Sequence, residues 1–415
     1  MSQRLHFDPL SSEFLADPYS LYARMRAEDP VHCNAMGSWL LTRHDDVVAV
    51  LRDHRFGVHS MAANLRSKGR FLGPGQKLDA LADTVGQWLM FDNPPEHTRL
   101  RRLVSRSFTT GSVELLRAQV EERVAACLDA ARERGELDVI HDLAVPLAVG
   151  TISSILGVPA KDRARVLAWT EGLSHIVDPL RSLEEYLAME QVAEEFMEYF
   201  RALFRERRRN PEDDLVSALV AKEKDKGVTE VELLSMCTNL FTAGYKTTVN
   251  FIGNGVLALL RNPAQCALLR EAPEAVPRAM EELLRYDSPV QLITRLACEE
   301  VSLRGRTIPA GSMVFLALGG ANRDPEQFAN PDRLDLTRTE VRHVAFAPGM
   351  HHCLGAMLAQ LEGQVAILGL VQRFEDLALR TEGVAMESDV IFRGPRSLPV
   401  SFDARTQALR RGRGG

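Results

Sequence analysis

The sequence contains no Cys-x-x-Cys pair. Its six cysteines, Cys33, Cys127, Cys237, Cys266, Cys298 and Cys353, are scattered through 415 residues. Zinc-ribbon and thioredoxin-like chemistry need cysteines paired at short spacing, so neither is supported. The scatter does not form a disulfide framework either, and a reducing, cytoplasmic setting is the simpler expectation. No Pro/Gly/Ser linker, low-complexity run or internal repeat divides the chain. That favours one large domain over residues 1–402, with 403–415 as a frayed tail. No run of about 18 apolar residues suggests a membrane span. The stretch from Met1 to Pro9 lacks the apolar core of a signal peptide. Positive charge is not in excess: 50 Lys and Arg stand against 56 Asp and Glu, a net charge of −6. Nucleic-acid binding is therefore not expected as a bulk property.

What the chain has is 45% hydrophobic residues, enough for a large core, and mostly helical periodicity. Short helices are expected at Pro18–Ala27 and Asp45–Leu51. Between them, Val31–Cys33 and Trp39–Leu41 read as a strand pair joined through Asn34 to Gly37. Residues 55–92 look irregular and Gly-rich. Pro94, Pro95 and Glu96 open a helix on which His97 and Arg101 share a face. Ser112–Leu156 and Asp162–Arg209 read as helical. Thr229-Glu230-Val231-Glu232 is a capping box. It starts a helix reaching Asn262-Pro263, about 50 Å long at 1.5 Å per residue. Gly244 in its middle costs about 1 kcal/mol relative to alanine, so something bulky approaches there, or the helix is distorted, or a neighbouring helix packs closely. Val276–Asp287 is a further helix, with Glu282 and Arg285 spaced to pair. Val290–Ala297 reads as a strand, Val301–Leu318 contains a hairpin, and Asn322–His343 is a meander without periodicity.

Then comes Phe346-Ala347-Pro348-Gly349-Met350-His351-His352-Cys353-Leu354-Gly355. This glycine-punctuated loop delivers Cys353 to the start of an apolar helix, in which Leu354, Met357, Leu358, Leu361, Val365 and Leu368 recur at helical spacing. A helix N-terminus favours an anion and so favours thiolate. A thiolate can be a nucleophile, a zinc ligand or an axial ligand to haem iron, and the loop alone leaves these open.

Three separated features coincide: Ala243-Gly244-x-x-Thr247 in the long helix, Glu282-x-x-Arg285, and Phe346-x-x-Gly349-x-His351-x-Cys353-x-Gly355. Together they resemble the cytochrome P450 family of haem-thiolate monooxygenases, and its soluble bacterial class in particular, over nearly the whole chain. The resemblance implies a predominantly α fold with small β-sheets. Haem would lie between the long central helix and the helix that follows the cysteine loop. Cys353 matches the ligand to the iron of haem b (iron protoporphyrin IX), and a thiolate there favours O–O cleavage. Phe346 would pack near the sulfur, Gly349 would allow the tight turn, and the N–H groups of Leu354 and Gly355 would soften the sulfur charge. Ala347 and Pro348 depart from the commonest pattern, which has glycine after the phenylalanine; the departure is expected to be tolerated. His97, Arg101, Arg295 and His351 match propionate contacts. Arg99, Arg102 and Arg106 remain as candidate docking charges for an acidic ferredoxin or flavodoxin, or as a solvated face. Glu282 and Arg285 match a buried structural pair, joined by Arg333 of the meander.

The activity implied is insertion of one oxygen atom of O2 into a hydrophobic substrate, by hydroxylation or epoxidation. Electrons would come from NAD(P)H through a ferredoxin or flavodoxin and its reductase. Thr247 would order a water relay, and Ala243 and Gly244 would leave space for O2 at a helix kink. Residues 60–92 and 170–195, with Leu240, Ala243, Val290, Leu292, Ile293, Ile391 and Phe392, would line the pocket. Soluble bacterial members often tailor secondary metabolites, which sets the expected substrate class. Lys246 is the departure, because the family usually carries Asp or Glu there. Its side chain could snorkel outward, anchor a substrate carboxylate or a distal acid, or weaken O2 activation so that peroxide becomes the oxidant. Rival readings are a peroxide-driven peroxygenase, a non-enzymatic haem-binding sensor, and a cysteine nucleophile using His351 or His352.

Overall fold

The computed structural model describes residues 7–9, 11–177, 181–223, 227–374, 376–381 and 383–402. The expected tail at 403–415 lies outside them. The fold is mostly helical with small sheets. Contacts group the chain into two compact units. One comprises Met1–Phe56, Glu114–Leu147 and Thr247–Gly415, the other Gly57–Val113 and Ala148–Lys246. The central helix, Glu230–Arg261, is 32 residues long and belongs to both. Its Thr229 capping box forms as expected: Thr229 N–H donates to the Glu232 carboxylate at 2.7 Å, and Glu232 N–H to Thr229 Oγ1 at 3.3 Å.

The strands are β1 Val31–Cys33, β2 Trp39–Leu41, β3 Phe56–Gly57, β4 Glu136–Asp138, β5 Leu292–Ala297, β6 Val301–Leu303, β7 Arg306–Ile308, β8 Met313–Ala317, β9 Ala378–Leu379 and β10 Pro399–Ser401. The largest sheet runs β1-β2-β8-β5-β3. Strand β2 lies parallel to β8, whereas β5 is antiparallel to β8 and pairs Ile293 with Leu316 and Arg295 with Val314. Leu41, Val314 and Leu316 are wholly buried and hold this sheet to the core of the first unit. The β6–β7 hairpin turns on Arg304 and Gly305, both at positive φ, which matches the right-handed twist of its strands.

Strand β4 falls inside the stretch Ser112–Leu156 that the sequence suggested was helical throughout. The helix Arg117–Arg134 stops at Gly135 in the left-handed conformation, and β4 then pairs with β10. A glycine terminator of that kind was the available signal. Behind the cysteine loop, the helix Ala356–Arg373 crosses the C-terminal half of the central helix at glycines. A Cβ on Gly255 would lie 2.7 Å from Ile367 Cδ1, and one on Gly363 would collide with the Phe251 ring.

Residues 55–92, which from Gly57 on belong to the second unit, are more ordered than their composition suggests. They form the helices Met61–Gly69 and Asp79–Val85 and a 3-10 turn at Leu89–Phe91. The second of these helices is capped from far along the chain: the Glu190 carboxylate accepts the N–H of Ala80 at 2.9 Å and of Leu81 at 2.7 Å. Glu190 lies on the helix Leu183–Arg209. One helical stretch, Val139–Leu156, is long and apolar enough by composition to cross a membrane, with a mean hydropathy of 1.7, although His141 and Asp142 interrupt its apolar run. Two-thirds of it is buried inside the protein.

Candidate functional site

The loop carrying Cys353 is built from its backbone. Cys353 N–H donates to Phe346 O at 2.9 Å, His352 N–H to Gly349 O at 3.1 Å, and Ala347 N–H to Val344 O at 2.9 Å. Gly349 has φ 109, and a Cβ there would collide with the carbonyl oxygen of Leu51. Glycine is thus needed both for conformation and for space. Ala347 has φ 48, a left-handed conformation that glycine adopts freely. This gives a physical reason for glycine to be common after the phenylalanine, and a cost of about 1–2 kcal/mol for the alanine present here.

The Phe346 ring lies between His343, at 5.6 Å, and His352, at 6.3 Å. His351 is half-buried and Cys353 is exposed. The following helix starts at Ala356 with Gly355 as its N-cap, so Cys353 sits just before the cap rather than in the first turn. No acidic residue occupies that first turn, which leaves its backbone N–H groups and dipole to a nearby anion.

In the same unit, Arg295 lies on β5 and is 7% exposed. It donates to the Thr294 carbonyl at 2.8 Å. Burial pushes its pKa down to about 10, with no carboxylate acting against the shift among the described residues. A buried guanidinium with no counter-anion is costly unless an anion joins it. An anionic group such as a haem propionate answers that need, and an exposed thiol such as Cys353 is of the kind that ligates iron, so the residues present fit haem.

The central helix carries the next group of residues. Leu240 and Lys246 are buried, Gly244 and Thr247 half-buried, and Ala243 is exposed within an otherwise covered stretch. Ala243 and Thr247 are four residues apart and share a face. The helix is assigned without a break through Gly244. A Cβ on Gly244 would meet Ile152 at 3.6 Å, an ordinary contact, so packing within this unit does not require glycine there. Lys246 is 5% exposed, which excludes the outward-snorkelling reading.

In the second unit, the helix Glu96–Val104 buries His97, Leu100, Leu103 and Val104. Arg101 is half-buried. Burial, and then the charge of Arg101, push the His97 pKa down. Arg99 is not a free surface charge: it pairs with Glu96 at 2.7 Å and with Glu232. Arg102 and Arg106 are exposed.

The Glu282–Arg285 pair is wholly buried. Arg285 also donates to the carbonyls of Asn322, Pro331 and Arg333. The third side chain of this network is Arg338, whose Nε reaches Glu282 at 3.1 Å. Arg333 is exposed and contributes only its carbonyl, so the assignment of its side chain is corrected. The meander has no periodicity, and nothing in its sequence distinguishes the two arginines.

Among the expected pocket residues, Leu292 and Ile293 are neighbours on β5 and face opposite sides, so they cannot both line one cavity. Leu292 is fully buried, while Ile293 shares the face of Arg295. Val290 bridges to Phe392, and Ile391 is buried. Residues of 60–92 and 170–195, among them Asp79, Asp83, Glu190 and Glu194, line a half-open groove of about 790 Å³. None of Leu240, Ala243, Val290, Leu292, Ile293, Ile391 and Phe392 lines it, so it is not the apolar pocket expected from the sequence.

A family model described as Cytochrome P450 matches residues 61–391. The chain is 37% identical over 411 residues to the polyketide biosynthesis cytochrome P450 PksS of Bacillus subtilis, covering 96% of this chain and 99% of the relative. It is 38% identical over 418 residues to the cytochrome P450 monooxygenase PikC of Streptomyces venezuelae, covering 98% and 96%. Its fold matches the structure of P450BioI in complex with hexadec-9Z-enoic acid ligated acyl carrier protein. That match has a TM-score of 0.88 at 38% identity, covering 94% of this chain and 99% of the other.

Proposed function

Since the chain belongs to the cytochrome P450 family and is a monooxygenase, we propose that it oxidises a hydrophobic natural product, by hydroxylation or epoxidation. Electrons come from NAD(P)H through a ferredoxin or flavodoxin and its reductase. The name of the relative PksS places that protein in polyketide biosynthesis, which supports that substrate class. The absence of any disulfide among the described cysteines accords with a cytoplasmic location.

Haem b, when bound, supplies the iron at which O2 is activated. The protein's part falls to residues of this chain. Cys353 ligates the iron as thiolate, on a loop fixed by its N–H bond to Phe346 O. Phe346, Gly349 and Gly355 shape that loop. Arg295 and His351 hold propionates, and the resemblance adds His97 and Arg101 to that role. Thr247 holds a water and its proton by its hydroxyl, and Ala243 and Gly244 keep the helix surface small enough for O2. Ile293, Leu240 and Phe392 present apolar surface to the substrate. The observation that carries this reading is an exposed cysteine before the helix cap, in the same unit as a buried arginine that has no carboxylate partner among the described residues.

A peroxide-driven reaction is the second reading, and the buried Lys246 in the usual place of an acid favours it. Turnover with NAD(P)H, ferredoxin and reductase supports the monooxygenase. Turnover with peroxide alone supports the peroxygenase. Screening ligands for a spin-state shift of the ferric haem identifies the substrate class.

A further inference from the structure

Successive residues of a helix point about 100° apart. On the helix Val276–Tyr286, Glu282 serves the buried arginine pair, and its neighbour Glu281 serves a different part of the fold. The Glu281 carboxylate meets both flanks of the cysteine loop. Before the loop, His343 brings Nε2 to 3.0 Å from Glu281 Oε2. After it, Gln360 Nε2 donates to Glu281 Oε1. Gln360 lies on the helix Ala356–Arg373, which follows Cys353.

His343 links this carboxylate to the loop itself. Its side chain is 4% exposed, against 33% for Glu281. The Ala345 N–H donates to His343 Nδ1 at 3.1 Å. A ring nitrogen that accepts carries no proton, so the proton of the imidazole sits on Nε2, the nitrogen facing Glu281. That contact is of ion-pair length, with the N–H not aligned as a full hydrogen bond. A carboxylate behind a histidine fixes the ring's tautomer and orientation. The same ring packs on Phe346 at 5.6 Å, and the Phe346 carbonyl accepts the Cys353 N–H at 2.9 Å. Val344, next in the chain, is anchored separately: its N–H donates to Asn322 Oδ1 at 2.8 Å, and Asn322 Nδ2 donates to Ser288 Oγ at 2.7 Å. One line of contacts therefore runs from Glu281 through His343 and Phe346 to Cys353.

We propose that Glu281 is a clamp that positions Cys353. By gripping His343 ahead of the loop and Gln360 beyond it, the carboxylate holds the cysteine in the orientation that ligates iron. The inference rests on haem ligation by Cys353. Glu281 and His343 act through Phe346 and the loop backbone, so both are positioning residues.

The test uses the haem-loaded full-length protein, held at a temperature where its circular dichroism does not change. The red-shifted Soret band of the reduced, carbon monoxide-bound form is followed with time. His343→Leu and Glu281→Ala should each start with normal haem content and helical signal, yet lose the band about fivefold faster than the unmodified protein, the factor expected for one hydrogen bond of ordinary strength. The double variant should lose it no faster than either single one, because members of one line of contacts are not additive. Glu281→Gln, which keeps an acceptor, should restore most of the lifetime. Gln360→Ala leaves His343 in place, guards against a misfolded His343→Leu, and should also shorten the lifetime. Unchanged lifetimes in Glu281→Ala and Gln360→Ala overturn the proposal. So does loss of the band only in step with loss of circular dichroism, the behaviour of a merely structural pair. An unmodified protein that never shows the band overturns the underlying reading, and this proposal with it.

Discussion

The Arg285 guanidinium grips the Glu282 carboxylate twice, through Nε at 2.7 Å and Nη2 at 2.9 Å, and neither side chain has any exposed surface. Removing one partner of such a pair strands the other as a buried charge, which costs about 3–5 kcal/mol. Glu282→Ala should therefore give little haem-loaded protein and a clearly lower unfolding temperature. Normal haem incorporation would contradict a structural role for the pair.

Arg338 and Arg333 separate the structure from the sequence pattern. Arg338 donates to Glu282 and to the Ala329 carbonyl at 3.0 Å, and a hydrogen bond to a charged group is worth about 1.5–3 kcal/mol. Arg338→Ala should destabilise by about that amount in denaturant titration. Arg333→Ala, at an exposed position, should stay within about 0.5 kcal/mol.

The cysteine loop gives a pair of opposite expectations. Ala347→Gly relieves a left-handed alanine worth about 1–2 kcal/mol and adds about 0.5–1 kcal/mol of glycine entropy. A small net gain in unfolding temperature should follow. Gly349→Ala forces a Cβ onto the Leu51 carbonyl at positive φ and should weaken haem retention. An equal effect of the two substitutions would contradict the backbone geometry.

Asp92 supplies a pH dependence. Burial, then the charges of Glu96 and Glu232, raise its pKa from 3.8 to about 6 against the opposing pull of Arg99. The folded state therefore favours the protonated acid. Stability from this group is greatest below pH about 4 and falls as pH rises toward about 6, because the unfolded chain ionises first. Asp92→Asn should raise the unfolding temperature at pH 7.5, and the gain should vanish near pH 4. A gain that grows on acidification would reverse the sign.

Local signals carried much of the fold. The capping box at Thr229, the hairpin turn at Arg304–Gly305 and the Glu282–Arg285 spacing are each fixed within a few residues, and each formed as read. Contacts between distant segments were not legible. The helix Asp79–Val85 depends on Glu190, more than a hundred residues away, so its Gly-rich surroundings looked irregular. Arg99 looked free until Glu232 reached it. Burial was equally hidden at Lys246, where the usual habit of lysine suggested solvent. The cysteine loop was readable because its glycines and cysteine lie within ten residues.

Haem ligation by Cys353 is the claim on which the rest depends, and the spectrum of the reduced, carbon monoxide-bound protein tests it most directly. The unmodified chain should show the red-shifted Soret band of a thiolate ligand, and Cys353→Ala should lose it. A colourless protein, or a band that survives that substitution, would contradict the assignment.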